Sequence, residues 1–169
     1  QLQEGLISEI MDFEKKYENR FAFSLDENLQ TALLKGIVDR LDNRKGIVTV
    51  LDYKTGKIEK NDVNIESVGD LFTGDYSIAF QLMFYTFLYY TTTGQSPINA
   101  QIVSFRNLKE TLHLQINKDI MLTPSLFDEF AEYLRVLIEQ IYNHTLSFSQ
   151  TTMTERCQKC DYNKLCMRD

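Results

Sequence analysis

Apolar residues recur along the chain at two spacings, and each change of spacing marks an element. Ile7, Ile10, Met11 and Phe13 fall at helical intervals, which predicts a short amphipathic helix from Leu6 to about Tyr17. Phe21, Phe23 and Leu25 then alternate as a half-buried strand does. A second strand-like run covers Thr31 to Leu41, and Asn43-Arg44-Lys45-Gly46 reads as a hairpin turn into a third strand, Ile47 to Lys54, stopped by Thr55-Gly56. Residues 57–74 are polar and mixed, a loop with room for a short helix. From Asp75 the spacing of Ile78, Leu82, Tyr85 and Tyr89 predicts a helix that ends at Gly94. Ile98 to Phe105 and Thr111 to Ile116 are strand candidates joined across an Arg106–Glu110 turn. Thr123-Pro124 opens a long helix with Leu126, Phe130, Leu134, Leu137 and Ile141 on one face. The expected order is helix, three strands, helix, two strands, helix and a polar tail after Ser147. That order predicts an α/β domain with a mixed sheet flanked by helices.

Composition narrows the class. At 169 residues with 43% hydrophobic positions, the chain can bury one substantial core, and no repeat or interdomain linker divides it. One domain over residues 1–169 is expected, with residues 148–169 as a cysteine-bearing tail. No apolar run approaches the roughly 20 residues that span a bilayer, and the amino end lacks a secretory apolar region. Three cysteines do not make a disulfide scaffold, which favours a reducing, cytoplasmic setting. A formal charge of -6 is poorly suited to holding nucleic acid by its own electrostatics.

Chemistry concentrates at the end of the third strand. The two-residue period puts Asp52 and Lys54 on one face and Tyr53 on the other. Asp39 lies near the end of the preceding strand, where pairing can bring its carboxylate beside Asp52. Two adjacent carboxylates repel unless a cation or proton lies between them, so a hard divalent ion such as Mg²⁺ or Mn²⁺ is the natural third party. The Lys54 ammonium can hold a phosphate oxygen or orient a water. Together these residues suit phosphodiester hydrolysis. Asp-x-Lys-Thr-Gly also suits an ordinary hairpin exit, and Asp39 could simply pair with Arg40 or Lys54.

Gly36-Ile-Val-Asp39-Arg40-Leu-Asp42, the interval of thirteen residues from Asp39 to Asp52-Tyr53-Lys54, and Gln81-x-x-x-Tyr85 on a helix resemble the RecB-type branch of the PD-(D/E)xK nuclease superfamily. Cys157-x-x-Cys160-x5-Cys166 resembles its iron-sulfur members, the AddB-type helicase-nuclease subunits and CRISPR-associated exonucleases. The likeness runs from about Thr31 to Cys166. It implies a restriction-endonuclease-like core in which Asp39, Asp52 and the Tyr53 carbonyl bind Mg²⁺ or Mn²⁺. It also implies a catalytic Lys54, with Gln81 and Tyr85 beside the site. Gln81 and Tyr85 share a helix face, from which they could hydrogen-bond Lys54 or a phosphate. A histidine or glutamate usually completes the metal site upstream. His113 and His144 are not upstream and read as surface or turn residues, while Glu4, Glu9, Glu14 and Glu18 are not distinguished by the sequence.

The spacing of Cys157, Cys160 and Cys166 lets three sulfurs approach one metal, where four thiolates are usual for a [4Fe-4S] cluster or structural zinc. The resemblance implies a [4Fe-4S] cluster whose fourth cysteine comes from near the amino end of the domain. The chain is therefore expected to be the carboxyl-terminal fragment of a larger protein, with a Cys and a His or Glu upstream. A bare thiol tail, a redox Cys-x-x-Cys, and zinc bound with His144 are the other readings of these residues.

The expected activity is metal-dependent hydrolysis of DNA in recombination or repair. Exonuclease action on single strands or ends, and a helicase domain or partner subunit that guides the strand, follow from the resemblance. Lys54, Lys57 and Lys60 with Arg44 and Lys45 make only a small basic cluster, which fits a positive surface located elsewhere. The alternatives are a catalytically inactive structural or DNA-contacting module of a helicase-nuclease complex, and a zinc-bound interaction domain.

Overall fold

The computed structural model describes residues 8–96, 98–107, 111–147, 149–158 and 160–167. Two long strands, β1 (Ser8–Leu25) and β2 (Asn28–Arg44), form an antiparallel hairpin. Leu25 pairs with Asn28 across a two-residue turn, and both turn residues, Asp26 and Glu27, have positive φ (47° and 63°). That geometry matches the right-handed twist of the flanking strands. The next turn repeats it: Lys45 and Gly46, at φ 56° and 85°, lead into β3 (Ile47–Lys54). The Asn43–Gly46 turn read from the sequence is therefore present, and Asn43 Oδ1 accepts from the Gly46 N–H at 2.8 Å.

After β3 come short 3-10 segments at Lys60–Asp62 and Val68–Phe72 and the two-residue β4 (Asn64–Ile65). Helix α1 (Ser77–Thr93) follows, closed by Gly94 in the left-handed conformation. The chain continues through β5 (Ile98–Ser104), β6 (Thr111–His113), β7 (Gln115–Ile116), α2 (Pro124–Tyr142) and a four-residue α3 (Thr154–Cys157). The predicted Thr111–Ile116 strand is thus divided: β6 pairs with β5, whereas β7 leaves to pair with β4. Leu108–Glu110 of the expected connecting turn lie outside the described residues.

The main sheet has the order β1-β2-β3-β5-β6, antiparallel except for the parallel β3–β5 pair. Parallel pairing needs a crossover, and the segment containing α1 supplies it. Helix α1 is apolar nearly all round because it is enclosed, with Ala79, Leu82, Met83, Phe87 and Leu88 buried. Phe80 and Phe87 contact Phe130 of α2, and Tyr90 stacks on Phe127 at 4.6 Å between centroids. Helix α2 buries Phe127, Phe130, Leu134 and Ile138, a stripe rotated from the predicted one, and Ile141 is left 69% exposed. This is the expected α/β architecture, a mixed central sheet flanked by helices and consistent with a restriction-endonuclease-like core.

One element differs in kind. The helix predicted from Leu6 to about Tyr17 is, over its described part, the first half of β1. Ile10, Met11 and Phe13, whose spacing suggested a buried helical stripe, are 46%, 41% and 58% exposed. What the chain buries is the alternating set Tyr17, Phe21 and Phe23. The seventeen residues of β2 present a full row of backbone donors and acceptors, and pairing with β1 satisfies them along its whole length. Tertiary pairing here overrides an ambiguous local period.

Candidate active site

The β2–β3 ladder runs in register from Arg44↔Ile47 to Arg40↔Leu51. One step further, the Asp39 side chain replaces a ladder bond: Tyr53 N–H donates to Asp39 Oδ2 at 2.8 Å. That contact brings Asp39 to the segment that carries Asp52. Asp52 and Lys54 share a face of β3 with Val50, which is fully buried, and this face meets α1. Lys54 Nζ lies 2.9 Å from Asp52 Oδ2 and donates to Gln81 Oε1 at 2.6 Å. Gln81 Nε2 in turn donates to the Tyr85 hydroxyl at 2.9 Å. The i, i+4 spacing on α1 makes that last contact possible, and the crossover places α1 over the end of β3.

Two further contacts fix the strand end. Phe105 N–H donates to the Lys54 carbonyl at 2.9 Å, and Ser104 Oγ donates to the Gly56 carbonyl at 2.7 Å. Gly36 lets α1 approach β2, since a Cβ there would sit 2.9 Å from Tyr85 Cε1 and 3.1 Å from Leu88 Cδ1.

Asp52 is the electrostatically costly member, only 3% exposed. Burial pushes its carboxyl above the usual range; the nearby Lys54 ammonium opposes the shift, and the Asp39 charge adds to it. Although Lys54 Nζ is close, Asp52 Oδ2 is buried without an aligned hydrogen bond. A buried carboxylate oxygen without an aligned hydrogen bond, with a second carboxylate near enough to raise its proton affinity, fits a hard divalent cation. Asp39, Asp52 and Lys54 with Gln81 and Tyr85 are therefore brought together in space.

A third acidic ligand is not. Among the described residues no three His, Cys, Asp or Glu side chains are grouped to hold a metal ion. Glu18 is exposed beside Lys16, its carboxyl held below the usual range by that lysine, and Glu9 pairs with Asn43. Glu14 lies across from Asp39 in the register, between the pairs Phe13↔Arg40 and Lys15↔Val38, with its backbone at φ 46°. Glu4 lies outside the described residues.

The three cysteines lie together near the carboxyl end of the described residues. Cys157, Cys160 and Cys166 are free thiols that do not form a group able to hold a metal. Cys157 ends α3, half-buried; Cys160 is exposed on the turn that follows; Cys166 is half-buried at 3.0 Å from the Tyr162 carbonyl through its N–H.

A polar network on the opposite face of the sheet was not anticipated. Arg40 grips Asp42 through both carboxylate oxygens, at 2.6 and 2.9 Å, and Arg44 approaches the same carboxylate at 3.4 Å. Arg40 thus pairs with Asp42 rather than Asp39. Arg44 also donates to Gln101 Oε1 at 3.2 Å, and His113 Nδ1 lies 3.1 Å from Asn99 Oδ1. Burial, with a smaller contribution from Arg44, holds the His113 imidazole below its usual pKa. His113 is therefore a half-buried network member, not a surface residue. The alternation Arg40-x-Asp42-x-Arg44, three charges on one strand face, was the signal for this network.

The site thus stands on a mixed α/β core, with Asp39 on one strand and Asp52-x-Lys54 on the next. The sequence profile of the PD-(D/E)XK nuclease superfamily matches residues 3–167, and the chain belongs to that superfamily. No curated protein matches the chain. Among solved structures it is similar to one titled "Crystal structure of SSO0001", at 14% identity and a TM-score of 0.43, over 92% of this chain. The chain spans 59% of the length of that protein. Among the described residues no helix is long and apolar enough to cross a membrane.

Proposed function

We propose that this chain is a divalent-metal-dependent deoxyribonuclease acting on single strands or DNA ends, in recombination or repair and beside a helicase domain or subunit. The observation that carries the reading is the contact set at the end of β3: Lys54 Nζ between Asp52 Oδ2 and Gln81 Oε1, with Asp39 bonded to the next peptide. Membership in the superfamily supports it independently. Asp39, Asp52 and the Tyr53 carbonyl would hold Mg²⁺ or Mn²⁺, which supplies polarisation of the phosphate and activation of water. Lys54 presents an ammonium to a phosphate oxygen or to the attacking water, and Gln81 fixes its direction. Tyr85 holds the Gln81 amide in the orientation that leaves Oε1 facing Lys54. Helix α1 and the buried floor of Val50 and Ala100 limit water around Asp52.

Labelled single-stranded DNA incubated with Mn²⁺ or Mg²⁺ tests the reading. Cleavage should require the ion and fall by at least about 100-fold in Lys54→Ala, the scale of a lost catalytic group. Cleavage indifferent to Lys54 or to the metal would overturn it. Binding without cleavage would favour an inactive DNA-contacting module.

A further inference from the structure

On the face of the sheet turned away from Asp52 and Lys54, the end of β3 carries aromatic rings that the reaction does not use. Tyr53 and Phe105 lie parallel, with an interplanar angle of 4° and centroids 5.7 Å apart. Phe105 is 55% exposed. Arg40 joins this pair to another exposed ring: its guanidinium donates to the Tyr53 hydroxyl at 3.3 Å and lies 5.9 Å from the centre of Phe13, which is 58% exposed. The surface is thus a row of flat groups, Phe13, Arg40, Tyr53 and Phe105, rather than isolated apolar side chains.

We propose that this row is a stacking platform for the unpaired bases of a single DNA strand whose backbone enters the candidate site; the proposal rests on the nuclease reading. Three observations select that occupant. Parallel rings, of which Phe105 is more than half exposed, match the planar faces of nucleobases, which stack on aromatics whatever their sequence. Arg40 and Arg44 set two cations on this face against the single buried carboxylate of Asp42 that they share, a local excess suited to phosphates on a chain of formal charge -6. Finally, the platform and Lys54 share one location. Phe105 N–H bonds the Lys54 carbonyl, and both residues stand at the carboxyl ends of the parallel strands β3 and β5, where ligands of α/β sheets bind. A strand crossing that end can offer a phosphate to one face and its bases to the other.

The test uses the protein in EDTA, so that binding is read without cleavage. Anisotropy compares a labelled oligothymidylate with an abasic strand of equal length, and a 2-aminopurine oligonucleotide reports stacking by its quenching. Phe105→Ala should weaken the base-bearing strand by about 10- to 100-fold, abolish the quenching and leave the abasic strand and the thermal midpoint unchanged. Phe105→Tyr should restore binding. Equal loss for both strands, no loss for either, or a wild-type protein that does not prefer bases would overturn the platform. Base-dependent binding without any metal-dependent cleavage would sustain the platform and refute the nuclease reading instead.

Discussion

Adding one methyl group at Gly36 should disturb both the fold and the candidate site. The backbone there is one that any residue adopts, so the substitution Gly36→Ala adds volume without dihedral strain. The new Cβ would meet Tyr85 Cε1 at 2.9 Å and Cδ1 at 3.1 Å, and Leu88 Cδ1 at 3.1 Å. Restoring ordinary contact at 3.4 Å needs a ring displacement of 0.5 Å (3.4 less 2.9). Overpacking of this kind costs about 1–3 kcal/mol, offset by about 0.4–1 kcal/mol from the stiffer unfolded chain. The net loss is then about 1–2 kcal/mol, a fall in Tm of roughly 2–8 °C for a domain of this size. The displaced ring also moves its hydroxyl away from Gln81 Nε2, and with it the partner that orients Lys54. On the proposed nuclease reading, a half-ångström error in the placement of Lys54 should lower turnover roughly tenfold. Thermal unfolding of Gly36→Ala alone and combined with Tyr85→Ala measures the coupling, because removal of the ring should relieve most of the clash. Gly56→Ala, where nothing lies within 4 Å, is the control and should be neutral or slightly stabilising. A Gly36→Ala protein as stable as wild type, or strictly additive effects in the double variant, would refute this account of how α1 is seated.

Two other outcomes follow from buried charges. Asp52 has a folded pKa above its ordinary value of 3.8, so its favourable contribution exists while it is protonated and is lost as pH rises through the folded pKa. In metal-free buffer Asp52→Asn should therefore unfold at a higher temperature than wild type at pH 7, and the gap should close as the pH falls below 4; a gap independent of pH would contradict the assignment. Asp42, fully buried between two arginines whose side chains are 23% and 32% exposed, should be costly to replace. Asp42→Ala leaves the arginines uncompensated and should cost about 3 kcal/mol, the lower end for a broken buried pair because the arginines keep some solvent; an unchanged urea midpoint at constant m-value would count against it.

Much of the candidate site could be read along the chain because its parts are local patterns. Asp52-Tyr53-Lys54 requires only the two-residue period of a strand, and Gln81-x-x-x-Tyr85 only the turn of a helix. The contacts between these parts could not be read so directly. That Gln81 rather than water receives the Lys54 ammonium depends on where the crossover lays α1 over β3. Arg40 illustrates the same limit: it stands next to Asp39 in sequence but on the other face, and so pairs with Asp42.

By itself, then, the sequence determined the periods, the turns with their positive-φ positions, and the residue types needed for chemistry, since each depends on neighbours within a few positions. The tertiary structure alone decided that residues 8–17 extend as a strand, because an apolar spacing of three and four there is also compatible with alternation and only the open edge of β2 breaks the tie. It likewise decided which carboxylate is dehydrated and that the Lys54 ammonium meets Gln81. Burial and alignment arise when distant segments exclude water from one another, and no local pattern carries that information.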